Sequence, residues 1–310
     1  MTPSSASASV DSAVSPGCPP PLRFAEVLRQ WSAQAQTFTV PAQRGRLMVR
    51  QLGSGPALYF LNGFGAPSSW YVLTAWLLRE QFKCVLMDWV GPRYPERLED
   101  FAAAVLQIMP AVGDETACLY GMGFGGWVAV EAVQQAPELI SALILQSVSP
   151  EWKLTPGERC FAWLGRWFTC PQGWIPGWRV VHTHNHRGWF PPLDLGRWSF
   201  FLSEAASLPC GFLAQQAWCS RHICYQRKLN YTRPVLILDT EGTDARCHDM
   251  QGCWQRIFPQ AHYEWLHTTG LHPYITHPHR LARVIQQWWQ SANGHVVSPT
   301  EIPKQEPKLS

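Results

Sequence analysis

Charge is scarce in this chain: charged residues fill only 15% of 310 positions, and the net charge is +3. No basic stripe interleaved with aromatics is present, so nucleic acid is not an expected partner. A run of about 18 apolar residues, the length needed to span a bilayer, is also missing. Met1 to Pro21 holds no Lys or Arg and no apolar stretch long enough for a signal peptide. A soluble, cytoplasmic protein without a membrane span is the expectation. Regular cysteine spacing is missing too. The ten cysteines lie at irregular intervals in a chain far larger than disulfide-stapled secreted domains, and they read as mostly free thiols.

What is abundant is apolar surface. Hydrophobic residues make up 46% of the chain, enough to fill a large core and to exclude wholesale disorder. Seventeen tryptophans are present, several of them in the middle of the chain. The length suits one large domain with an insertion.

The segments Phe38 to Val40 and Leu47 to Leu52 read as an edge hairpin, and Ala57 to Leu61 as a fully buried strand running into Asn62-Gly63-Phe64-Gly65. A helix over Ser68 to Glu80 and a strand over Cys84 to Asp88 follow. This strand-helix-strand rhythm argues for a mostly parallel sheet with right-handed crossovers. Further on, the strand-like Ala117 to Tyr120 precedes Gly121-Met122-Gly123-Phe124-Gly125-Gly126, and a helix-like run from Val128 to Ala136 succeeds it. In the G-x-S-x-G pattern such a turn lifts a nucleophile above the sheet in a strained backbone conformation. Here the central residue is Gly123, so the nucleophile position is vacant. The same glycines do not fit a dinucleotide fingerprint, which belongs in the first strand-turn-helix unit with an acidic residue about 20 positions later. No cofactor is expected.

These elements together resemble the α/β-hydrolase superfamily, over roughly residues 36–150 and 232–291. The layout is similar to the maspardin type. The shared features are a strand ending near Asp88 with a short loop from Trp89 to Pro95, the segment Pro234 to Asp239, and the ending Thr269-Gly270-Leu271-His272-Pro273-Tyr274. The resemblance implies an α/β-hydrolase fold, a mostly parallel sheet flanked by helices with an inserted helical cap. Residues 1–35 are then a flexible N-terminal segment, 151–231 a Trp-rich helical cap and 292–310 a disordered tail. Trp163, Trp167, Trp174 and Trp178 are expected either to roof an apolar pocket, to pack the cap onto the body, or to form a sticky outer face.

Hydrolysis in this superfamily requires nucleophile, acid and histidine in chain order, plus two backbone donors for the oxyanion. Gly63 or Phe64 and Phe124 are the candidate donors, with Asn62 standing where a histidine usually opens the loop. Asp244 is the preferred acid and Glu241 the alternative. An ungapped match to Gly-His-x-Pro puts Leu271 at the base position and His272 one residue late, which favours a histidine bonded within a turn. Ser147 and Ser149 are expected to face the wrong end of the pocket, and Cys118 to be inert within the sheet. His182, His184 and His186 alternate as on a strand face. His277, His279, Cys219 and Cys224 do not complete a ligand shell around them, so no metal site is expected.

The leading expectation is a non-catalytic pseudo-hydrolase that binds a small apolar or carboxylate ligand, or docks a protein through its Trp-rich cap. The maspardin-like layout is compatible with the docking role, since that family is associated more with protein binding than with a demonstrated reaction. The alternative is a hydrolase of ester, thioester or amide bonds with a non-standard catalytic set.

Overall fold

Four segments carry apolar runs without polar alternation and are buried along nearly their whole length: Ala57–Leu61, Ala117–Met122, Ile140–Gln146 and Val235–Asp239. Such runs belong to parallel strands covered on both faces. The computed structural model describes residues 23–42, 45–91, 94–241 and 250–293, and these segments form the middle of its main sheet. In chain order the elements are α1 (Phe24–Gln34), β1 (Gln36–Pro41), β2 (Arg46–Leu52), β3 (Ala57–Leu61), α2 (Val72–Leu78), β4 (Lys83–Val90), α3 (Leu98–Ala111), β5 (Ala117–Met122), α4 (Phe124–Gln135) and β6 (Ile140–Gln146). They continue as β7 (Glu151–Lys153), α5 (Pro156–Gly165), α6 (Trp178–His186), α7 (Leu195–Ser207), α8 (Cys210–Cys219), β8 (His222–Cys224), β9 (Val235–Asp239), α9 (Met250–Ile257), β10 (His262–Trp265), α10 (Pro273–Thr276) and α11 (Pro278–Ala292).

The eight-stranded sheet has the order β1-β2-β4-β3-β5-β6-β9-β10. Only β2 runs against its neighbours β1 and β4, and the other pairs are parallel. Alternate residues of β3 serve opposite faces: Tyr59 and Leu61 join the core shared with α3 and α4, while Leu58 and Phe60 join that of α1, α2 and α11. The parallel strands end on one edge of the sheet, and their loops gather there.

One expectation needs correction. The stretch before residue 36 is not uniformly flexible, because Phe24–Gln34 forms α1. Phe24, Val27, Leu28 and Trp31 recur at helical spacing, and α1 lies on α2 with Val27 and Trp31 buried. Deleting a buried side chain of tryptophan's size costs about 3–5 kcal/mol, so α1 is part of the folded body. Residues 1–22 and 294–310 lie outside the described residues.

Between β6 and β9 stand the four helices α5 to α8. Thr155 and Glu158 form a reciprocal capping box at the start of α5, and the side chain of Asp194 caps α7. The first and last strands of the insertion, β7 and β8, pair antiparallel with Trp152 opposite Ile223. The chain therefore leaves and re-enters the body at one place, which holds the intervening helices over the carboxyl edge of the sheet.

Candidate functional site

Gly123 stands alone between β5 and α4 with φ 50° and ψ −115°. Its neighbours are glycine for steric reasons. A Cβ on Gly121 would lie 2.4 Å from Gly125 O, one on Gly125 2.1 Å from Leu61 O, and one on Gly126 2.2 Å from Val148 Cγ2. At Gly123 the nearest atom to an added Cβ is Phe64 Cδ2 at 3.9 Å. Space for a side chain is therefore present, and the backbone conformation alone disfavours one.

Above Gly123 lies a cavity of about 340 Å³ whose wall includes Phe64, Trp70, Trp127, Ser147, His186 and His272. The Asn62 loop is pinned from both sides. The Asn62 amide donates to Met87 O at 3.1 Å and to Asp88 Oδ1 at 3.2 Å, while Arg50 pairs with Asp88 Oδ2 at 2.7 Å. Asn62 thus ties the loop to β4. From α8, Gln216 accepts from Gly65 N at 2.8 Å and donates to Gly63 O at 3.2 Å. The Gly63 N–H is directed at the Tyr71 phenol oxygen. Of the two loop candidates for an oxyanion donor, Phe64 is the one without that commitment. Phe124 opens α4, where an amide has no carbonyl partner within its own helix.

His272 is not displaced from the site. Both Leu271 and His272 line the cavity with Gly123. Their loop is held by Gln146, whose amide donates to Leu271 O at 2.9 Å and whose carbonyl accepts the Tyr120 hydroxyl. His272 Nδ1 lies 2.5 Å from the Tyr274 hydroxyl. The expected turn hydrogen bond and a place on the cavity wall therefore coexist. Burial, and then the neighbouring His186 and His182, push the His272 pKa well below its ordinary value, so the ring is neutral.

Asp244 lies outside the described residues. Glu241 is exposed, and the carboxylate of Asp239, at the end of β9, accepts the Tyr263 hydroxyl. Among the described residues no carboxylate is hydrogen-bonded to His272. A phenol occupies the ring nitrogen that a triad acid would orient.

The alternating histidines are not on a strand. Gly177, with φ 78°, starts α6, and the helix brings together residues four apart. His182 and His186 stack with ring centroids 5.0 Å apart, and His186 lies 5.8 Å from His272. Burial and then His186 push the His182 pKa down to about 4. His182, His186 and His272 thus form a row of neutral imidazoles on one cavity wall. The i, i+4 spacing of the first two was the signal in the sequence. Among the described residues, no cluster of three or more His, Cys, Asp or Glu has an arrangement able to hold a metal ion.

Two serines join the wall against expectation. Ser147 and Ser149 both line the cavity, because the turn after β6 passes beside the elbow, where Gly123 N donates to Gln146 O at 3.3 Å. Ser147 has φ 49°, unusual for a residue with a side chain, and its buried Oγ makes no hydrogen bond. Cys118 is fully buried and, as expected, its thiol pKa is raised by desolvation.

The tryptophans divide. Trp178 and Trp198 are buried, whereas Trp163, Trp167 and Trp174 are exposed. The indoles that line the cavity are Trp70, Trp127 and Trp152, joined by Phe201 of α7, and of the four cap indoles for which a roof, a packed or an outer position was open, three face outward.

The family model for the alpha/beta hydrolase fold matches residues 56–190. A thermophilic esterase from Thermogutta terrifontis superposes with a TM-score of 0.67 at 17% identity, covering 84% of this chain and 99% of the esterase. A hydrolase from Pseudomonas aeruginosa gives 0.66 at 17% identity, over 82% and 98% of the two chains. A serine-to-glycine variant of an N-acyl homoserine lactonase, complexed with N-hexanoyl homoserine lactone, gives 0.60 at 14% identity over 84% and 99%. At these identities the likeness establishes the fold. An uncharacterised protein of Mycobacterium tuberculosis is 28% identical over 108 residues, 33% of this chain. The chain spans about a third (32%) of that relative's length. The chain has the α/β-hydrolase fold.

Proposed function

We propose that this protein binds a small, largely apolar carbonyl compound or carboxylate in the cavity over Gly123 and does not turn it over by a covalent serine route. The observation that carries this reading is the elbow itself: the backbone turn that would present a nucleophile is intact, and its central residue has no side chain. The rest of the site supports binding. Aromatic walls favour an apolar body, and amides at Phe64 and Phe124 suit a carbonyl oxygen. The neutral imidazoles of His182, His186 and His272 add polar atoms to the wall without a charge to desolvate, with one ring nitrogen of His186 already bonded to His182 O and one of His272 to the Tyr274 hydroxyl. That a fold relative with glycine in place of a serine was solved in complex with N-hexanoyl homoserine lactone makes such a ligand a reasonable probe. The test is titration of the protein with N-hexanoyl homoserine lactone and with hexanoate, followed by calorimetry. Saturable binding of either with no product formed is expected. Turnover well above a heat-denatured control, blocked by a serine-directed probe, overturns the reading.

A second reading has one observation in its favour. Ser147 carries a buried hydroxyl with no hydrogen bond, at strained φ, on the same wall as His272. A hydrolase built on that hydroxyl would lose its ester or thioester activity in Ser147→Ala and be indifferent to Gly123→Ala in a well-folded protein.

A further inference from the structure

Helix α5 is apolar on the side turned away from the protein. Its buried residue is Ala162, and it packs on α8. Phe161 and Leu164 stand at i and i+3 on the outer side, with Phe161 78% exposed, and Phe168, just beyond the helix, is exposed as well. The following turns and α6 extend the same character: Trp167 is 75%, Trp174 76% and Val180 72% exposed. Isolated exposed apolar residues are ordinary, but a succession of this density over one segment marks an interaction surface.

The charges on this segment have one sign to spare. Residues 156–197 contain five arginines, Arg159, Arg166, Arg179, Arg187 and Arg197, against the carboxylates Glu158 and Asp194. Both carboxylates are already engaged, Glu158 in the capping box of α5 and Asp194 with Arg197 at the start of α7. Arg197 is paired with Asp194 and Arg187 is turned to the carbonyls of Phe190, Pro191 and Pro192, which leaves Arg166 and Arg179 beside the exposed Trp, Phe and Leu, the composition of a surface that seats its rings at the level of lipid headgroups while its guanidinium groups meet anionic phosphates. No helix among the described residues is long and apolar enough to cross a membrane, so any such contact is made from one side.

We propose that the outer face of the cap, from Phe161 to Val181, docks on an anionic lipid surface. The inner side of the cap behind this face lines the cavity through Gln172, His182 and His186. Docking there sets the roof of the cavity against the acyl boundary, from which an apolar ligand enters without crossing water. The docking does not depend on which ligand the cavity takes.

Flotation of the full chain with vesicles tests this. Pure phosphatidylcholine is compared with a 3:1 mixture of phosphatidylcholine and phosphatidylglycerol, for the wild type, Trp167→Ser/Trp174→Ser and Arg179→Glu. The substituted side chains are exposed, and thermal melts confirm that the variants fold. Wild type is expected to float with the anionic vesicles and much less with the neutral ones. Its partition should fall at least tenfold in the double variant, and severalfold in Arg179→Glu or at 0.5 M salt. Brominated acyl chains should quench the fluorescence of docked wild type. Failure to float with anionic vesicles overturns the proposal, as does undiminished flotation of the double variant. A self-association that the double variant abolishes, without vesicle binding, assigns the face to a second copy of the chain instead. Equal partition onto both vesicles overturns the anionic assignment.

Discussion

A Cβ on Gly125 would stand 2.1 Å from a backbone oxygen of β3, whereas Leu193 in the cap is 96% exposed. The floor of the cavity is a place where single atoms do not fit, and the outside of its roof is a place where large side chains touch water. Floor residues were selected by geometry: the turn from β5 to α4 needs glycine on either side to let helix and strand approach. Roof residues line the cavity with one face, through Gln172, His182 and His186, and leave the other apolar and unpartnered by the body. Substitutions in the floor should therefore be read in stability, and those on the roof's outer side in binding.

The largest expected effect is in the floor. Gly125→Ala places a methyl group against Leu61 O, and with backbone on both sides of the clash it should cost about 4 kcal/mol or more. Urea denaturation would show a protein largely unfolded without denaturant, and a cooperative native-like transition would break the comparison. Gly123→Ser is the sharper probe, because its site has room and only φ opposes it. A cost of about 1–3 kcal/mol is expected, with a folded protein that remains a poor esterase since the Tyr274 hydroxyl, and no described carboxylate, is bonded to His272. Efficient hydrolysis of p-nitrophenyl hexanoate by this single variant would show that His272 is already a working base.

The inner side of the roof should respond to acid. In the folded protein His182 has its pKa pushed down to about 4, and His186 and His272 are lowered as well, while the unfolded chain takes up protons near pH 6.5. The unfolded state thus binds more protons over that window, and stability present at neutral pH is lost as pH falls from 6.5 toward 4. For His182, half exposed, the loss is on the order of 1–2 kcal/mol after allowance for solvent screening. Urea midpoints measured across this range should fall more steeply in the wild type than in His182→Gln. The smallest effect on stability belongs to the outer roof: Trp167→Ser should change the unfolding free energy by less than about 0.5 kcal/mol. A larger change would show that this ring packs on the body.

Much of the floor was legible. Ala57 to Leu61 read as a buried strand because a strand covered on both faces has no polar alternation, and the elbow read as a turn because its glycines have few other uses in that setting. The errors lie where two local patterns overlapped. Composition from Met1 to Pro21 concealed the helical stripe of Phe24, Val27, Leu28 and Trp31. Alternation at His182, His184 and His186 concealed the i, i+4 pair that the helix stacks. His272 was placed one residue late by counting along the motif, whereas the Gln146 bridge to Leu271 O decides which side chains of that loop face the cavity.

By itself the sequence determined the order of strands and helices, the vacancy at Gly123 and the small residues around it, since each follows from contacts between near neighbours or from the periodicity of burial. Only the tertiary structure decided that His182 and His186 from the cap meet His272 from the last loop, that Ser147 shares their cavity, and that Trp163, Trp167 and Trp174 face outward. Those facts depend on which elements cover one another across scores of intervening residues, and a tryptophan has the same local pattern whether its ring is roofed by protein or left against solvent.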